Sequence, residues 1–244
     1  MRVQSLTLAA ASAALLAPTA LPIAAPPRAE ERPAVRPAVR PAVRPAMGPQ
    51  GGVRAAELLA KARRCAQVSR GRYRTDDGRS PTVPVCGTRE AVFWKADLDI
   101  DCDGRPGRRC NSRTDPWFSD ATAFTQSDGR YLDAERLPYV VVPGPSRVWD
   151  YRDHGIRGGS VVALVHRDRV RYAVVGDVGP RDIIGEASYA AAEALGIPAD
   201  PHGGGTDSGV TYIVFKDTRV DPIEDRGAAV AVGERLARMF ARGR

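Results

Sequence analysis

The sequence is poor in the residues on which metal, nucleotide and serine-hydrolase chemistry depends. Its 244 residues include three histidines and four cysteines. The histidines are far apart and no Cys-x-x-Cys pair exists, so a zinc site is not expected. There is no Gly-x-x-x-x-Gly-Lys loop to cradle a phosphate and no Gly-x-Ser-x-Gly turn to present a nucleophilic serine. We therefore expect no cofactor and no metal ion.

Long apolar runs and a sustained excess of one charge are also missing. The apolar run from Leu6 to Leu16 is shorter than the roughly 20 residues that cross a bilayer. The formal net charge is +7, but beyond Met47 the chain has 30 basic against 27 acidic residues, a difference of +3. The composition excludes a multispan membrane protein and a nucleic-acid-binding polycation, and it fits one globular domain.

The first residues are typical of a secretory signal. Arg2 precedes the apolar run Leu6 to Leu16, small residues follow it, and cleavage is favoured between Ala20 and Ala25. We assign residues 1–25 to a signal peptide. The mature protein is then expected to be secreted and to have no membrane attachment.

An arginine- and proline-rich linker follows the signal. From Arg32 to Ala46 the chain repeats Arg-Pro-Ala-Val, and the regular prolines favour an extended, solvated conformation over a helix. We assign residues 26–50 to this linker and residues 51–244 to the folded domain. The linker is either a plain tether or, through its arginines, a loose attachment to an anionic cell wall.

The cysteines point to disulfides, because an export signal places them in an oxidising compartment. They lie at four positions in the first half of the chain: Cys65, Cys86, Cys102 and Cys110. Disulfides between cysteines adjacent in the sequence, Cys65 with Cys86 and Cys102 with Cys110, are the most local pairing, but the other two pairings stay open on the sequence alone.

Hydrophobic patterning predicts a β-rich domain of mixed α+β class. The Val, Ile, Tyr and Phe content indicates four strands: Tyr139–Val142, Val161–His166, Val170–Val175 and Val210–Phe215. Apolar spacing and an alanine-rich run predict three helices: Val53–Val68, Glu186–Leu195 and Ala228–Arg242. Few helices and no regular βαβ alternation predict a small mixed sheet or barrel with peripheral helices.

Asp177 and Glu186 form the most informative pair of charged residues. Asp177 follows a strand and is flanked by glycines, and Glu186 lies at the start of the predicted second helix. The glycines and Pro180 would fold the chain back and bring both carboxylates to one cleft. Glycosidic cleavage needs such a pair, one acid to protonate the leaving oxygen and one carboxylate to activate water or to attack. The spacing alone also fits ordinary local structure, an Asp in a glycine turn and a Glu in the first turn of a helix.

A second acidic cluster lies upstream, where aspartates alternate along an extended segment: Asp97, Asp99, Asp101 and Asp103. From Asp99 to Gly104 the residues match the opening of a calcium loop, but the twelfth position is Cys110 and not glutamate. Carboxylates held close together would also attract an amine-bearing sugar polymer. A solvated acidic loop clamped by a Cys102 bridge explains the run equally well.

The remaining polar motifs fit ordinary turns and loops. Asp207-Ser208-Gly209 matches the triplet of aspartic proteases, but no second copy exists to form their dyad, so a turn before a strand is favoured. His154 and His202 lie in segments typical of loops.

Taken together, these residues resemble the glycoside hydrolase family 75 chitosanases. The similarity is collinear from about Phe93 to Phe215, and six segments carry it: Lys95–Gly104, Leu137–Pro143, Gly155–Ile156, Tyr172–Pro180, Ile184–Tyr189 and Val210–Phe215. The resemblance implies an endo-acting enzyme that hydrolyses β-1,4 bonds between glucosamine units of chitosan, with inversion. It also implies a six-stranded barrel akin to the double-psi barrels of other cell-wall glycosidases.

The same resemblance assigns roles to the acidic residues. The family's essential carboxylates fall on Asp177 and Glu186, and inversion predicts a separation of about 6.5–9.5 Å between their carboxyl groups. Which is the acid stays open, because apolar neighbours would raise the pKa of Glu186 whereas a helix N-terminus would lower it. The upstream aspartates match the family's acidic motif, and we interpret them as subsite residues for protonated glucosamine: Asp97, Asp99, Asp101 and Asp103.

Two other functions remain open at this point. A barrel of this kind could bind cell-wall polysaccharide without cutting it, with the linker as its tether. It could also be a peptidoglycan glycosidase that uses Asp177 alone, in which case activity would not depend on Glu186. We expect chitosan as the partner, no nucleic acid, and a monomer.

Overall fold

A barrel of six strands forms the centre of the domain. The computed structural model describes residues 52–243, so the predicted signal peptide (1–25) and the predicted linker (26–50) lie outside the described residues. The strands are β1 Cys86–Gly87, β2 Ala91–Asp101, β3 Tyr139–Pro143, β4 Val161–His166, β5 Arg169–Gly179, β6 Glu186–Ser188 and β7 Thr206–Phe215. The helices of this part of the chain are α1 Ala55–Ala62, α2 Tyr189–Leu195, α3 Arg226–Arg242 and a 3₁₀ helix, Tyr151–His154.

Strand pairing closes the sheet on itself. The order is β1-β2-β6-β3-β5-β4-β7, and β7 pairs back onto β2. The six strands β2 to β7 therefore form the closed barrel, and the short strand β1 pairs with β2 outside it. The pairs β2–β6 and β3–β5 are parallel, and the other pairs are antiparallel. The predicted β-rich, mixed α+β fold and the six-stranded barrel are thus confirmed, while the closer likeness to double-psi barrels stays a prediction.

Alternate residues of the strands divide between two apolar clusters, as the twofold period of a strand requires. One cluster packs against the outer helices, with Phe93 of β2 and Phe240 of α3 in an edge-to-face pair whose centroids are 6.4 Å apart. The other contains Trp94 and Tyr212, which are stacked at 5.3 Å, and Leu195 of α2. Both clusters hold β2 firmly, and its C-terminal end carries the acidic run.

Two predicted helix boundaries are wrong because tertiary contacts override local propensity. Helix α1 ends at Ala62, and the segment that follows runs along β1, with the Gly87 N–H donating to the Ala66 carbonyl at 2.8 Å. Residues Glu186–Ser188 form strand β6 between β2 and β3 instead of the first turn of a helix. No helix among residues 52–243 has the length and apolar character needed to cross a bilayer.

Ser188 marks the change from strand to helix at this point. Its hydroxyl caps α2 by accepting from the Ala191 N–H, accepts from the Tyr139 N–H at 3.0 Å and donates to the Leu137 carbonyl at 2.8 Å. The side chain is fully buried. These bonds tie the end of β6 to β3 and so fix the strand that carries Glu186.

The disulfides follow the local pairing. Cys65 is joined to Cys86, which ties the segment after α1 to β1, and Cys102 is joined to Cys110. The second bridge closes a short loop directly after β2. It therefore holds the backbone of Asp101 and Asp103 in place from one side.

Candidate active site

Strand register brings Asp177 and Glu186 into one row of residues. Asp99 of β2 pairs with Glu186 of β6, and Val141 of β3 pairs with Asp177 of β5. Because Val140 lies opposite Ala187 in an antiparallel pair, Val141 lies opposite Glu186. The row therefore reads Asp99, Glu186, Val141, Asp177, and directly opposed residues project from the same face of a sheet.

A bulge in β5 directs Asp177 into this row. Val140 pairs with Val175 and Val141 pairs with Asp177, so Gly176 is the extra residue. A Cβ at Gly176 would lie 2.5 Å from the Cβ of Tyr139, which only glycine avoids. The glycine beside Asp177 in the sequence thus serves a close approach of two strands.

Gly179 keeps the space beside Glu186 open. A Cβ at this position would lie 2.8 Å from the Glu186 Oε2 and 2.9 Å from a methyl carbon of Val141. Any side chain here would press on the carboxylate. Both glycines that flank Asp177 in the sequence are therefore explained by the packing of the site.

The row lines a cavity of about 390 Å³ whose charged walls are almost all acidic. The carboxylates come from three strands and two loops: Asp99, Asp101, Asp103, Asp115, Asp177, Glu186 and Asp200. No lysine or arginine of the described residues lines it, and His202 contributes an imidazole. A cleft of this size and sign suits a cationic ligand.

Burial sets Glu186 and Asp177 apart chemically. Burial, followed by the negative charge of Asp99, raises the pKa of Glu186 to about 7. Burial also raises the pKa of Asp177, but its Oδ1 accepts N–H bonds from Ala123 and Val178, both at 2.7 Å, which favour the charged form. Near neutral pH, Glu186 can thus hold a proton while hydrogen bonds stabilise ionised Asp177.

Asp101 and Asp103 extend the acidic cavity beside Asp177. One carboxylate oxygen from each of these three residues lies within 4.8 Å of the other two. The Asp101 Oδ1 accepts from the Asp103 N–H, and the Asp103 Oδ1 accepts from the Ser119 N–H, both at 2.7 Å. Burial raises the pKa of Asp103 to about 6 and that of Asp101 well above its ordinary value, with the charge of Asp177 contributing to both.

The structure divides the upstream aspartates between two places. Asp97 does not line this cavity; it lies in a neighbouring one, where its carboxylate clusters with those of Asp76 and Asp99. The first three acidic positions of the calcium-loop pattern therefore do not converge on one point, since Asp99 belongs to one cluster and Asp101 to the other. Burial, followed by the charge of Asp99, raises the pKa of Asp97 to about 8.

Trp117 is a site residue that the sequence reasoning missed. It lines the cavity, yet its side chain is 90% exposed. Its loop is anchored by the buried Asp115, whose Oδ1 accepts the Trp117 N–H at 2.8 Å. A tryptophan in the loop after Cys110 was the available signal, and such an exposed ring is suited to contacting a ligand.

Comparisons with known proteins point to one family. A model described as fungal chitosanase of glycosyl hydrolase group 75 matches residues 98–238. An endo-chitosanase of Aspergillus oryzae is 30% identical over 188 residues, which cover 66% of this chain and 75% of the relative. An endo-chitosanase B of Aspergillus oryzae is 30% identical over 156 residues, 57% of this chain and 64% of the relative. An endo-chitosanase of Aspergillus fumigatus is 28% identical over 143 residues, 53% of this chain and 60% of the relative.

Proposed function

The chain belongs to glycosyl hydrolase group 75, and from that premise we propose that it hydrolyses β-1,4 bonds within chitosan with inversion, using Glu186 as general acid and Asp177 as general base. As a member of this group it is a glycoside hydrolase, so a binding module that cuts nothing is set aside. The row Asp99, Glu186, Val141, Asp177 is the observation that carries the two-carboxylate mechanism.

Glu186 has the properties of the acid. It must be protonated before the reaction, and a pKa of about 7 keeps a proton on it under mildly acidic conditions. It lies on strand β6 and not in a helical first turn, so the helix dipole does not oppose this raised pKa. In the reaction its proton passes to the glycosidic oxygen as the bond between that oxygen and the anomeric carbon breaks.

Asp177 has the properties of the base. Its two backbone hydrogen bonds leave one oxygen, Oδ2, to accept a proton from water. That water would attack the anomeric carbon from the face opposite Glu186, and its second hydrogen stays on the product. Asp177 and Glu186 lie on strands separated by β3, and two strand spacings of about 4.8 Å place their backbones about 9.6 Å apart. The predicted separation of about 6.5–9.5 Å between their carboxyl groups remains part of this proposal.

The acidic walls of the cavity fit a polymer of protonated glucosamine. Asp99, Asp101 and Asp103 line the cavity without a basic partner among the described residues. Ammonium groups of chitosan would neutralise these carboxylates and stabilise their ionised forms. A neutral or anionic glycan lacks that contribution, which favours chitosan over peptidoglycan as the substrate.

The configuration of the first product tests the inverting mechanism. We expect proton NMR of the chain without residues 1–50, acting on fully deacetylated chitosan oligomers, to show the α anomer of the new reducing end before mutarotation. A new reducing end that first appears as the β anomer contradicts inversion. No new reducing ends at all contradicts the chitosanase proposal itself.

Replacing Trp117 tests whether its ring supports the polymer. Trp117→Ala is expected to raise KM for chitosan by up to roughly tenfold, because contact with an aromatic face contributes about 0.5–1.5 kcal/mol. The kcat should change less than threefold, since proton transfer in the proposed mechanism depends on Glu186 and Asp177 and not on the ring. Trp117→Phe should recover most of the affinity, and steady-state kinetics that show equal KM for all three proteins would contradict this role.

Export is the remaining part of the proposal. The signal features of residues 1–25 and the Arg-Pro-Ala-Val linker in residues 26–50 support secretion of a domain that starts near residue 51. The two disulfides fit an oxidising compartment. We propose that the linker tethers the enzyme loosely to an anionic wall through its arginines.

A further inference from the structure

A second acidic cavity adjoins the active-site cavity. Its volume is about 660 Å³, and Asp99 and Gly204 line both cavities. Its other carboxylates come from separate parts of the chain: Asp76 from the loop after α1, Asp97 from β2 and Asp207 from the start of β7. The hydrolysis step described above uses none of these three.

A bulge in β7 opens this second cavity. Ala96 pairs with Val210 and Leu98 pairs with Thr206, so residues 207–209 have no partners on β2. The triplet Asp207-Ser208-Gly209, interpreted above as a turn before a strand, is therefore a bulge within the strand. It places Asp207 in the cavity wall opposite Asp97.

Asp97 has a buried carboxylate oxygen without a hydrogen-bond partner among the described residues. The residue is 3% exposed, and the oxygen is its Oδ1. A buried carboxyl oxygen left without a hydrogen-bond partner destabilises the structure, and more so when the group is charged. A ligand that brings positive charge and hydrogen-bond donors would remove this penalty.

The geometry of the cluster suits a ligand with three donors. One carboxylate oxygen from each of Asp76, Asp97 and Asp99 lies within 4.8 Å of the other two. An ammonium group that donates hydrogen bonds of about 2.8 Å holds its acceptors about 4.6 Å apart, which falls within that limit.

The described residues provide no close basic partner for the buried carboxylates of this cavity. Arg79 lines the cavity, but its Nε is 3.8 Å from the Asp76 Oδ2 and both side chains are largely exposed. An exposed pair at this distance contributes little. Asp97, Asp99 and Asp207 form no ion pair within residues 52–243.

We propose that this second cavity is a subsite that binds the protonated amino group of a glucosamine unit next to the cleaved bond. The proposal rests on the chitosanase function proposed above and names the residues that would make the enzyme select deacetylated units: Asp76, Asp97, Asp99 and Asp207. The shared wall at Asp99 lets one polymer chain run from the catalytic row into this cavity. An acetylated unit presents a neutral amide there and cannot replace the ammonium group.

Single substitutions in the chain without residues 1–50 test the subsite. Asp97→Asn and Asp76→Asn are each expected to raise KM for fully deacetylated chitosan roughly tenfold, as expected for the loss of a hydrogen bond to a charged group. Their kcat should stay within about twofold of wild type. The KM penalty should shrink as the acetylated fraction of the substrate rises. Asp168→Asn, in the exposed turn between β4 and β5, is the matched control and should change nothing.

Three results would overturn the subsite. The first is an unchanged KM in Asp97→Asn, Asp76→Asn and Asp207→Asn. If the wild type still hydrolyses chitosan, this result refutes the subsite and leaves the proposed function unaffected. Calorimetric binding of Ca²⁺ that is lost in Asp97→Asn, with no change in KM, assigns the cavity to a metal ion. If the wild type releases no reducing ends, the proposed function fails, and calorimetry with a glucosamine hexamer tests the subsite separately. Equal binding by wild type and Asp76→Asn would refute the subsite. Weaker binding by the variant would support it.

Discussion

Glu186→Gln is expected to lower kcat on chitosan by about 10³-fold, the middle of the range for removal of a general acid. The amide is isosteric with the protonated acid and can occupy the same space beside Gly179, so the fold should be retained. It cannot deliver a proton to the leaving oxygen. Reducing-end release under saturating substrate measures the loss, and circular dichroism checks that the barrel is intact.

A substrate with an activated leaving group separates this role from a structural one. In a dinitrophenyl glycoside of a glucosamine oligomer, the dinitrophenolate leaves without being protonated. Glu186→Gln should therefore cleave this substrate at a rate within about tenfold of wild type. The matched control is Glu193→Gln, on the exposed face of α2. A loss of 10³-fold on both substrates would refute Glu186 as the acid.

The pH dependence of activity also tests the assignment of Glu186 as the acid and Asp177 as the base. The acid must be protonated and the base ionised, so kcat/KM should fall below the raised pKa of Asp177 and above that of Glu186, about 7. Chitosan also loses its positive charge as the pH rises, which contributes to the alkaline decline. On the dinitrophenyl substrate the acid is not needed, and the part of the alkaline decline that belongs to Glu186 should disappear. An alkaline decline that remains the same on both substrates would contradict the assignment.

The barrel was predictable because its strands have clear apolar patterns. Segments such as Val161–His166 consist almost wholly of β-branched and apolar residues, and β4 begins and ends where the pattern predicts. Strand β2 was harder to recognise, since aspartates occupy every second position of its C-terminal half and such an acidic run also fits a loop. The start of α2 was misplaced because residues 186–188 are held as a strand by β2 and β3, which a local pattern does not reveal.

The candidate site was only partly accessible from the sequence. Asp177 and Glu186 stood out because glycines flank the first and a family resemblance covers both. Their shared row depends on the register of four strands and on the bulge at Gly176, which are tertiary properties. For the same reason, the alternation of Asp97 to Asp103 could not show that the run passes from one cavity to the next. Trp117 belongs to no motif, so a tryptophan in a loop was a weak signal until its exposure beside the cleft was seen.

Asp177→Asn is expected to lower kcat by about 10³-fold on chitosan and by a similar factor on the dinitrophenyl glycoside. Attack by water needs the base whatever the leaving group, so the activated substrate should not recover the rate, in contrast to Glu186→Gln. The asparagine carbonyl can still accept the N–H bonds of Ala123 and Val178, which preserves the local structure. Rates on both substrates, with Asp168→Asn as the control, measure the effect.

Azide provides a further test of Asp177, because a small anion can attack without a base. Added azide should restore cleavage of the dinitrophenyl glycoside by Asp177→Asn and form a glycosyl azide of α configuration, with dinitrophenolate as the leaving group. The bond from azide nitrogen to the anomeric carbon replaces the bond to the phenolic oxygen, so no proton transfer is required. A glycosyl azide of β configuration would point to a covalent intermediate and would move the nucleophile to another carboxylate of the cavity. More than a tenth of wild-type kcat in Asp177→Asn without azide would remove Asp177 from the mechanism.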